Sequence, residues 1–361
     1  MITLPGLIDV HVHLRYLDPH KEDFLTSTFA AIAGGFTMVL DMPNNNPPIT
    51  TFARLQAKMD QAAHYTRYDI GFYFGSLGDN LEEFKKVKDL VYGLKLYLNM
   101  TTGGYIIDEP KMRKIYKEWH KVTKGKKPIL LHAEEDVMAS VVRVVTETKH
   151  PTHICHVSSE EELSKIIAAK KQGLPITCGV CPHHLFLTED DLKKLGPYGL
   201  MKPPLKTKRD QEFLWKNLQH IDVIESDHAP HTKQEKESAK PPFGVPGLET
   251  TLPLLLTAMS NGKITKDEII EKCYTRPKEI FHLPDQKDTY VEIDEKKEYV
   301  IRNKNLFTKC KWSPFEGWKV RGKVRRVFLR GKKVFEDGKV LAQAGSGRIV
   351  YNNQHGKASS R

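Results

Sequence analysis

The residues best suited to chemistry are four histidines, a lysine and an aspartate spread along the chain. His11-Val12-His13 comes first. In a strand, residues two apart project to the same side, so one cation can take both imidazoles. Lys95, His132, His156 and Asp227 follow at wide spacing. Each alone has a plain structural role: a snorkelling lysine, satisfied core histidines, a helix-capping aspartate. Jointly, four imidazoles and a carboxylate make a zinc donor set. A free lysine is a poor zinc ligand, because its ordinary pKa is about 10.4. Carbon dioxide added to the amine removes the difficulty: the carbamate is an anion with two oxygens, able to bridge two cations about 3.5–4 Å apart. Two such ions lower the pKa of a shared water and direct it at an amide carbonyl. Asp227 can ligate one ion and also carry the proton between water and amide nitrogen.

Something must bring these six residues together. Short apolar or β-branched runs at 7–13, 36–42, 69–75, 92–98, 128–132, 153–157, 175–181 and 222–227 alternate with helical patterns at 52–65, 134–148 and 159–171. The last of these opens Ser-Glu-Glu-Glu, an N-cap followed by an acidic first turn. Eight βα units predict an α/β fold of the TIM-type (β/α)8 barrel class, with chemistry at the C-terminal strand ends, where the six residues fall. Beyond residue 284 the texture changes to short alternating runs at 290–293, 299–301, 324–329 and 333–335, which predicts a small β appendage. The expected organisation is a barrel over 1–284, a β subdomain over 285–344 packed on it, and a polar, frayed tail over 345–361.

Composition narrows the class. A chain of 361 residues, 39% hydrophobic and 28% charged, can bury a large core. It has neither a run of about 18 apolar residues nor a basic-then-apolar leader. Five cysteines are too few and too odd a number for a disulfide framework, so a reducing, cytoplasmic setting is expected. The net charge of +11 is spread over helix-like segments without aromatic interleaving, which argues for solvated faces against nucleic-acid binding; no membrane partner is expected either. Cys178-Gly179-Val180-Cys181 and His183-His184 have no second paired motif at zinc-finger spacing and read as strand-end and loop residues.

Several longer stretches resemble the dihydroorotase family: Pro-Gly-Leu-Ile-Asp-Val-His-Val-His-Leu-Arg at 5–15, Gly-Leu-Lys-Leu-Tyr-Leu-Asn at 93–99, His-Ile-Cys-His-Val at 153–157, Cys-Pro-His-His-Leu-Phe-Leu at 181–187, Ser-Asp-His-Ala-Pro-His-Thr at 226–232 and Pro-Gly-Leu-Glu-Thr at 246–250. The likeness is greatest to the dihydroorotase domain of the multifunctional animal protein of pyrimidine synthesis. It implies two zinc ions per subunit held by His11, His13, His132, His156 and Asp227, with Lys95 the carboxylated bridge. It assigns Arg15, Asn44 and His231 to the substrate's α-carboxylate, a chemically apt set because a guanidinium grips a carboxylate bidentately. Lys202, Pro242 and Gly244 join the substrate pocket by the same likeness, and Thr101 and Thr102 the loop that closes over it. Lys202 stands where relatives carry arginine, which keeps the charge but loses the fork. Gly179 stands where the animal domain has a glutamate that goes with a third zinc beside Cys155, so that ion lacks its acid here.

The implied reaction is the reversible cyclisation of N-carbamoyl-L-aspartate to L-dihydroorotate. A homodimer and covalently linked carbamoyl-phosphate synthetase and aspartate transcarbamoylase domains are further expectations of the resemblance. Two rivals remain: a dihydropyrimidinase, hydantoinase or allantoinase acting on a neutral ring, and a silent domain kept for assembly.

Overall fold

The computed structural model of the protein describes residues 1–101 and 106–351. Its first two strands are β1 (Ile2–Pro5) and β2 (Leu7–Val12), followed by β3 (Phe36–Asp41), β4 (Asp69–Phe72) and β5 (Phe74–Gly75). Then come β6 (Leu94–Tyr97), β7 (Ile129–His132), β8 (Thr152–Ile154), β9 (Ile176–Val180) and β10 (Val223–Ile224). The last four are β11 (Tyr290–Val300), β12 (Lys319–Leu329), β13 (Lys332–Glu336) and β14 (Lys339–Val340).

Strands β2 to β4 form one parallel sheet and β5 to β10 another, each strand pairing with its sequence neighbour across a crossover. Only Tyr73 separates β4 from β5, and its amide donates to Asp41 O at 3.1 Å. At the other end an isolated parallel bridge joins Val12 to His228, with His13 N donating to His228 O at 2.8 Å. The order of parallel neighbours thereby returns to its first strand. Such strands are buried on both sides, and they read as near-continuous apolar runs for that reason.

Alternate residues enter two apolar layers. Ile8, Val10, Met38, Leu40, Tyr73, Leu130 and Val223 form one, closed by Phe281. Leu7, Val12, Phe36, Val39, Leu94 and Leu131 face the helices in the other. A register shift between Asp9 and Val12 changes the alternation within β2, so that Val12 joins the helix-facing layer. His11 and His13 are thereby turned the opposite way, toward Asp227.

The helix Phe52–Tyr65 has its expected bounds, and Glu160–Lys171 starts on a Ser159 cap whose reciprocal partner is Glu162. The helix expected from 134 begins only at Met138. Its would-be first turn is diverted: Glu134 N donates to Asn99 Oδ1 at 2.8 Å, and its carboxylate lies 3.2 Å from His132 Nε2.

The antiparallel sheet has the order β1-β11-β12-β13-β14. It draws on both ends of the chain, since Ile2–Pro5 pairs with β11 in register Ile2 to Ile293. That pairing is not readable in four residues ending in proline. The runs at 290–293 and 299–301 are one strand with an irregularity between Asp294 and Glu298.

The described part of the tail is held, not frayed. Ile70 N donates to Arg348 O and Val350 N to Ile70 O, at 2.9 and 2.8 Å. A Cβ on Gly347 would stand 2.0 Å from Tyr68 O, so only glycine permits this approach. Asp69 fastens the junction: it accepts from Arg330 Nη1 at 2.7 Å on both oxygens, from Gln286 Nε2 at 2.8 Å and from Arg348 N at 3.1 Å. Replacing Asp69 with alanine should lower the unfolding free energy by about 2–4 kcal/mol, because it strands a partly buried guanidinium and a buried amide. Urea denaturation of the two chains checks this, and an unchanged midpoint would show that Asp69 fastens nothing.

Candidate metal centre

The six residues converge at the C-terminal strand ends. His11 and His13 come from β2 and the residue after it, Lys95 from β6 and His132 from β7. His156 and Asp227 lie just past β8 and β10, and all six are at most 8% exposed. His156 and Asp227 have φ of 40° and 44°, and Arg15 has 56°. Left-handed backbone costs an L-residue about 1–2 kcal/mol, so their neighbours must enforce it. Cys155 N donates to Leu131 O and Val157 N to Gly179 O on either side of His156, which fixes the chain around the strained residue.

The contacts assign which ring nitrogen faces inward. His13 Nδ1 lies 2.5 Å from Asn44 Oδ1, which leaves Nε2 at 3.0 Å from Asp227 Oδ1. His11 Nε2 is 3.3 Å from the same oxygen, while Nδ1 faces Glu225 Oε2 at 3.5 Å. His132 Nε2 meets Glu134, so its Nδ1 is the nitrogen 3.0 Å from His156 Nε2. A carboxylate or amide behind an imidazole sets the tautomer of a metal-binding ring. The inward set is then His11 Nε2, His13 Nε2, His132 Nδ1, His156 Nε2 and Asp227.

Burial holds His11 down to about 4 and lowers His132 and His156 as well, so these imidazoles are neutral at pH 7. Burial works against the Asp227 anion, yet the His11 and His13 contacts hold its carboxyl below the usual range. Neutral rings and an ionised carboxylate are the protonation states a cation requires. Lys95 Nζ sits 3.1 Å from Cys155 Sγ and 5.1 Å from the Tyr97 ring centre, soft and weakly polar surroundings for an amine.

The pocket above this centre is lined by Arg15, Asn44, Thr101, Lys202, Phe243 and Gly244, among others. Arg15 Nε donates to Pro230 O at 3.1 Å, and Nη2 lies 3.1 Å from His231 Nε2. His231 Nε2 is also 3.0 Å from Phe243 O, and a neutral ring can serve only one of these two neighbours at that nitrogen. His231 therefore lies buried between Arg15 and the 242–244 segment, bonded through that nitrogen to one of them at a time, and does not line the pocket. Asn44 uses its oxygen on His13, leaving its amide N–H groups for a ligand. Lys202 Nζ is 3.9 Å from Glu134 and 5.6 Å from the Phe243 ring centre. Thr101 reaches the pocket, whereas Thr102 lies outside the described residues. Pro242 contributes its carbonyl to Lys236 and does not line the pocket.

Three contributors carry no signal in the sequence. Glu225 accepts from His156 N at 2.6 Å and backs His11. It fills the space over Gly179, where a Cβ would come within 2.5 Å of its Oε1. Glu225, just past β10, thus sets a carboxylate over Gly179, and His11, Cys155 and Glu225 each place one donor atom within 4.8 Å of the others. Glu134 backs His132. Lys236, fully buried, donates to Leu200 O, Pro242 O and Gly244 O at 3.0, 2.9 and 3.2 Å, tying two walls of the pocket together beneath the Trp312 ring. Nothing in its local sequence distinguishes it from the exposed lysines around it.

The family model described as Amidohydrolase family matches residues 2–334. The multifunctional protein CAD of Squalus acanthias is 46% identical over 355 residues, covering 97% of this chain but only 16% of that protein. The dihydroorotase of Pyrococcus furiosus is 37% identical over 374 residues, with 98% and 86% covered. Among solved structures, the L-hydantoinase (dihydropyrimidinase) of Arthrobacter aurescens superposes with a TM-score of 0.91 at 25% identity, covering 97% of this chain and 89% of that one. The inactive dihydroorotase-like domain of the Chaetomium thermophilum CAD-like protein gives 0.82 at 27%, with 96% and 98% covered.

Lys236 generates two expectations. Lys236→Met should weaken binding of an anionic pocket ligand about ten- to a hundredfold, the loss of hydrogen bonds from a charged group, with metal content unchanged; calorimetric titration reads it, and equal affinity would remove Lys236 from the wall. Burial lowers its pKa from 10.5 to about 8. Between those values the unfolded chain binds the extra proton, so Lys236's contribution to stability rises with pH across that window. The stability of wild type relative to Lys236→Met should thus increase as pH is raised through that window, and a flat difference would contradict the assignment.

Proposed function

The chain belongs to the amidohydrolase family, and on that premise we propose that it is a dihydroorotase, interconverting N-carbamoyl-L-aspartate and L-dihydroorotate in pyrimidine synthesis. The reading of its framework as a closed (β/α)8 barrel is supported by the parallel bridge from Val12 to His228, with the antiparallel sheet as a small subdomain packed on it. The family and the inward donor set support a metal-dependent reaction. Two zinc ions fit best, because the donors are imidazoles and a carboxylate; Lys95, carboxylated by carbon dioxide, is their bridge in this reading. When bound, such ions supply a water nucleophile active at neutral pH and polarise the reacting carbonyl.

The observation that carries the choice of substrate is Arg15. It is a buried guanidinium facing the pocket whose two close partners, Pro230 O and His231, are both neutral. A buried cation of this kind calls for an anionic ligand, and the α-carboxylate supplies one. A neutral ring of the hydantoin type would leave its hydrogen-bond shell without an anion, with only the more distant charges of Asp227, Asp18, Asp41 and Glu235 acting on it. Asn44's amide N–H groups, without a partner among the described residues, and Lys202 line the same pocket.

Asp227 is the proton carrier. In ring closure it takes the proton from the ureido nitrogen as the carbon–nitrogen bond forms and water leaves. In ring opening it takes a proton from the attacking water and returns it to the departing nitrogen. Thr101, at the pocket rim, belongs to the loop that closes over substrate. Glu225 anchors His11 and His156; with His11 Nδ1 and Cys155 it also makes a donor set for the third ion. That role ranks second, because His11 Nδ1–H can donate to Glu225 while Nε2 serves the centre. A homodimer within a longer polypeptide carrying carbamoyl-phosphate synthetase and aspartate transcarbamoylase domains fits the multifunctional relative, of which this chain matches one part. A cytoplasmic setting suits five free cysteines.

The zinc-loaded protein should turn over both members of the pair and leave dihydrouracil, hydantoin and allantoin untouched. Turnover of a neutral ring instead would overturn the substrate, and silence throughout would favour an assembly domain. In steady-state kinetics, Asp227→Asn should cost about 100- to 10,000-fold in both directions with metal largely retained. Arg15→Ala should chiefly raise KM, and unchanged saturation would remove it from the carboxylate site.

A further inference from the structure

Cys181, His183 and His184 lie at the end of β9, entering the five-residue helix Pro182–Phe186, and belong to neither the inward donor set nor the pocket lining. Each places one donor atom within 4.8 Å of the other two, and each is at most 3% exposed. The two rings are 4.4 Å apart at 65°. His184 Nε2 lies 3.1 Å from Pro203 O, so that nitrogen carries the proton and Nδ1 presents its lone pair. His184 Nδ1 and His183 Nε2 are buried with no hydrogen-bond partner among the described residues. Buried imidazole nitrogens are ordinarily satisfied, so two orphans beside a thiol are an unmet requirement. A backbone carbonyl behind one ring is also the usual support of a metal-binding histidine.

We propose that Cys181, His183 and His184 form a separate metal site, taking a thiophilic divalent ion of the zinc type on one thiolate and two imidazoles, with a fourth position open. The donor chemistry excludes hard cations: no carboxylate belongs to the trio, and magnesium and calcium prefer oxygen. Burial keeps the Cys181 thiol well above its usual range and both histidines below theirs. Without an ion the trio is thus a neutral thiol and two neutral rings. Binding displaces the thiol proton, the sulfur–metal bond forms on the resulting thiolate, and the proton leaves to solvent, so affinity weakens as pH falls. The ion would pin the 181–187 turn against the Pro203 segment, which carries Lys202 into the pocket wall, and so has a structural role distinct from the reaction.

The test is X-ray absorption at the zinc edge on the zinc-loaded full chain, together with the absorption spectrum of its cobalt form. A sulfur scatterer at about 2.3 Å and a thiolate-to-cobalt charge-transfer band are expected. Both should persist in Cys155→Ala, which removes the other thiol that lies in a donor cluster among the described residues. Both should vanish, with one metal fewer per chain, when Cys181→Ala is added. His184→Gln gives a second route should that double variant fail to fold: it should lose the same band. Wild-type zinc without sulfur neighbours overturns the proposal with no variant needed. So does a sulfur signal that disappears in Cys155→Ala. None of these readouts depends on turnover, so a failure of the dihydroorotase assignment leaves them interpretable.

Discussion

The structure depends on one constraint: ionisable groups gathered out of water must be given partners, and a cation is the partner the central cluster fits. Imidazole nitrogens from β2 and the residue after it, β7 and the end of β8 face one another at 3.0 Å or share one carboxylate oxygen at 3.0 and 3.3 Å. Burial lowers the pKa of His132 and His156, which keeps both rings neutral. Each neutral ring keeps one N–H, so His156 can bridge the pair by donating to His132 Nδ1, and a cation is the other partner that fits between them. The outer nitrogens are set by Asn44, Glu134 and Glu225.

Holding such a cluster sets terms for the backbone. Most of the donors stand at or just past the end of a parallel strand, where a side chain can be aimed without interrupting the ladder. His156 and Asp227 go further and occupy left-handed backbone shortly after their strands. Straight continuation would carry these side chains on by the strand alternation; the turn re-aims them. The cost of two strained residues is offset only where surrounding hydrogen bonds leave no alternative, as Glu225 does at His156 N.

Much of this was legible because it repeats. Apolar runs mark doubly buried strands, the Ser159 cap marks a helix start, and a His-x-His at a strand end marks two donors on one side. What stayed hidden lacked local periodicity. The pairing of Ile2–Pro5 with β11, and of the tail with β4, joins segments hundreds of residues apart. Glu225 stands next to Ser226-Asp227 and reads as one more acid in a polar run; only the emptiness over Gly179 on the adjacent strand gives it a place. The irregularity in β2 that aims His11 and His13 together is likewise invisible until the register with β3 is known.

The pocket wall is coupled to the centre by the same logic of shared partners. Glu134 touches His132 at 3.2 Å on one side and Lys202 at 3.9 Å on the other. Burial works against its anion, but these two neighbours, with Lys206 behind them, hold the carboxyl below its usual range. Asn44 divides itself in the same way, its oxygen on His13 and its amide toward the pocket. His132 and His13 are therefore oriented by side chains that also touch or form the pocket wall. Lys236 extends the connection by holding Leu200 O, two residues from Lys202, to Gly244 O across the pocket. A side chain so shared cannot be exchanged for the benefit of one neighbour alone: an apolar residue at 134 would strand the outer nitrogen of His132 and deprive Lys202 of its counter-charge together. The boundary between the histidine cluster and the pocket thus runs through Glu134 and Asn44, and the geometry of either half constrains the other.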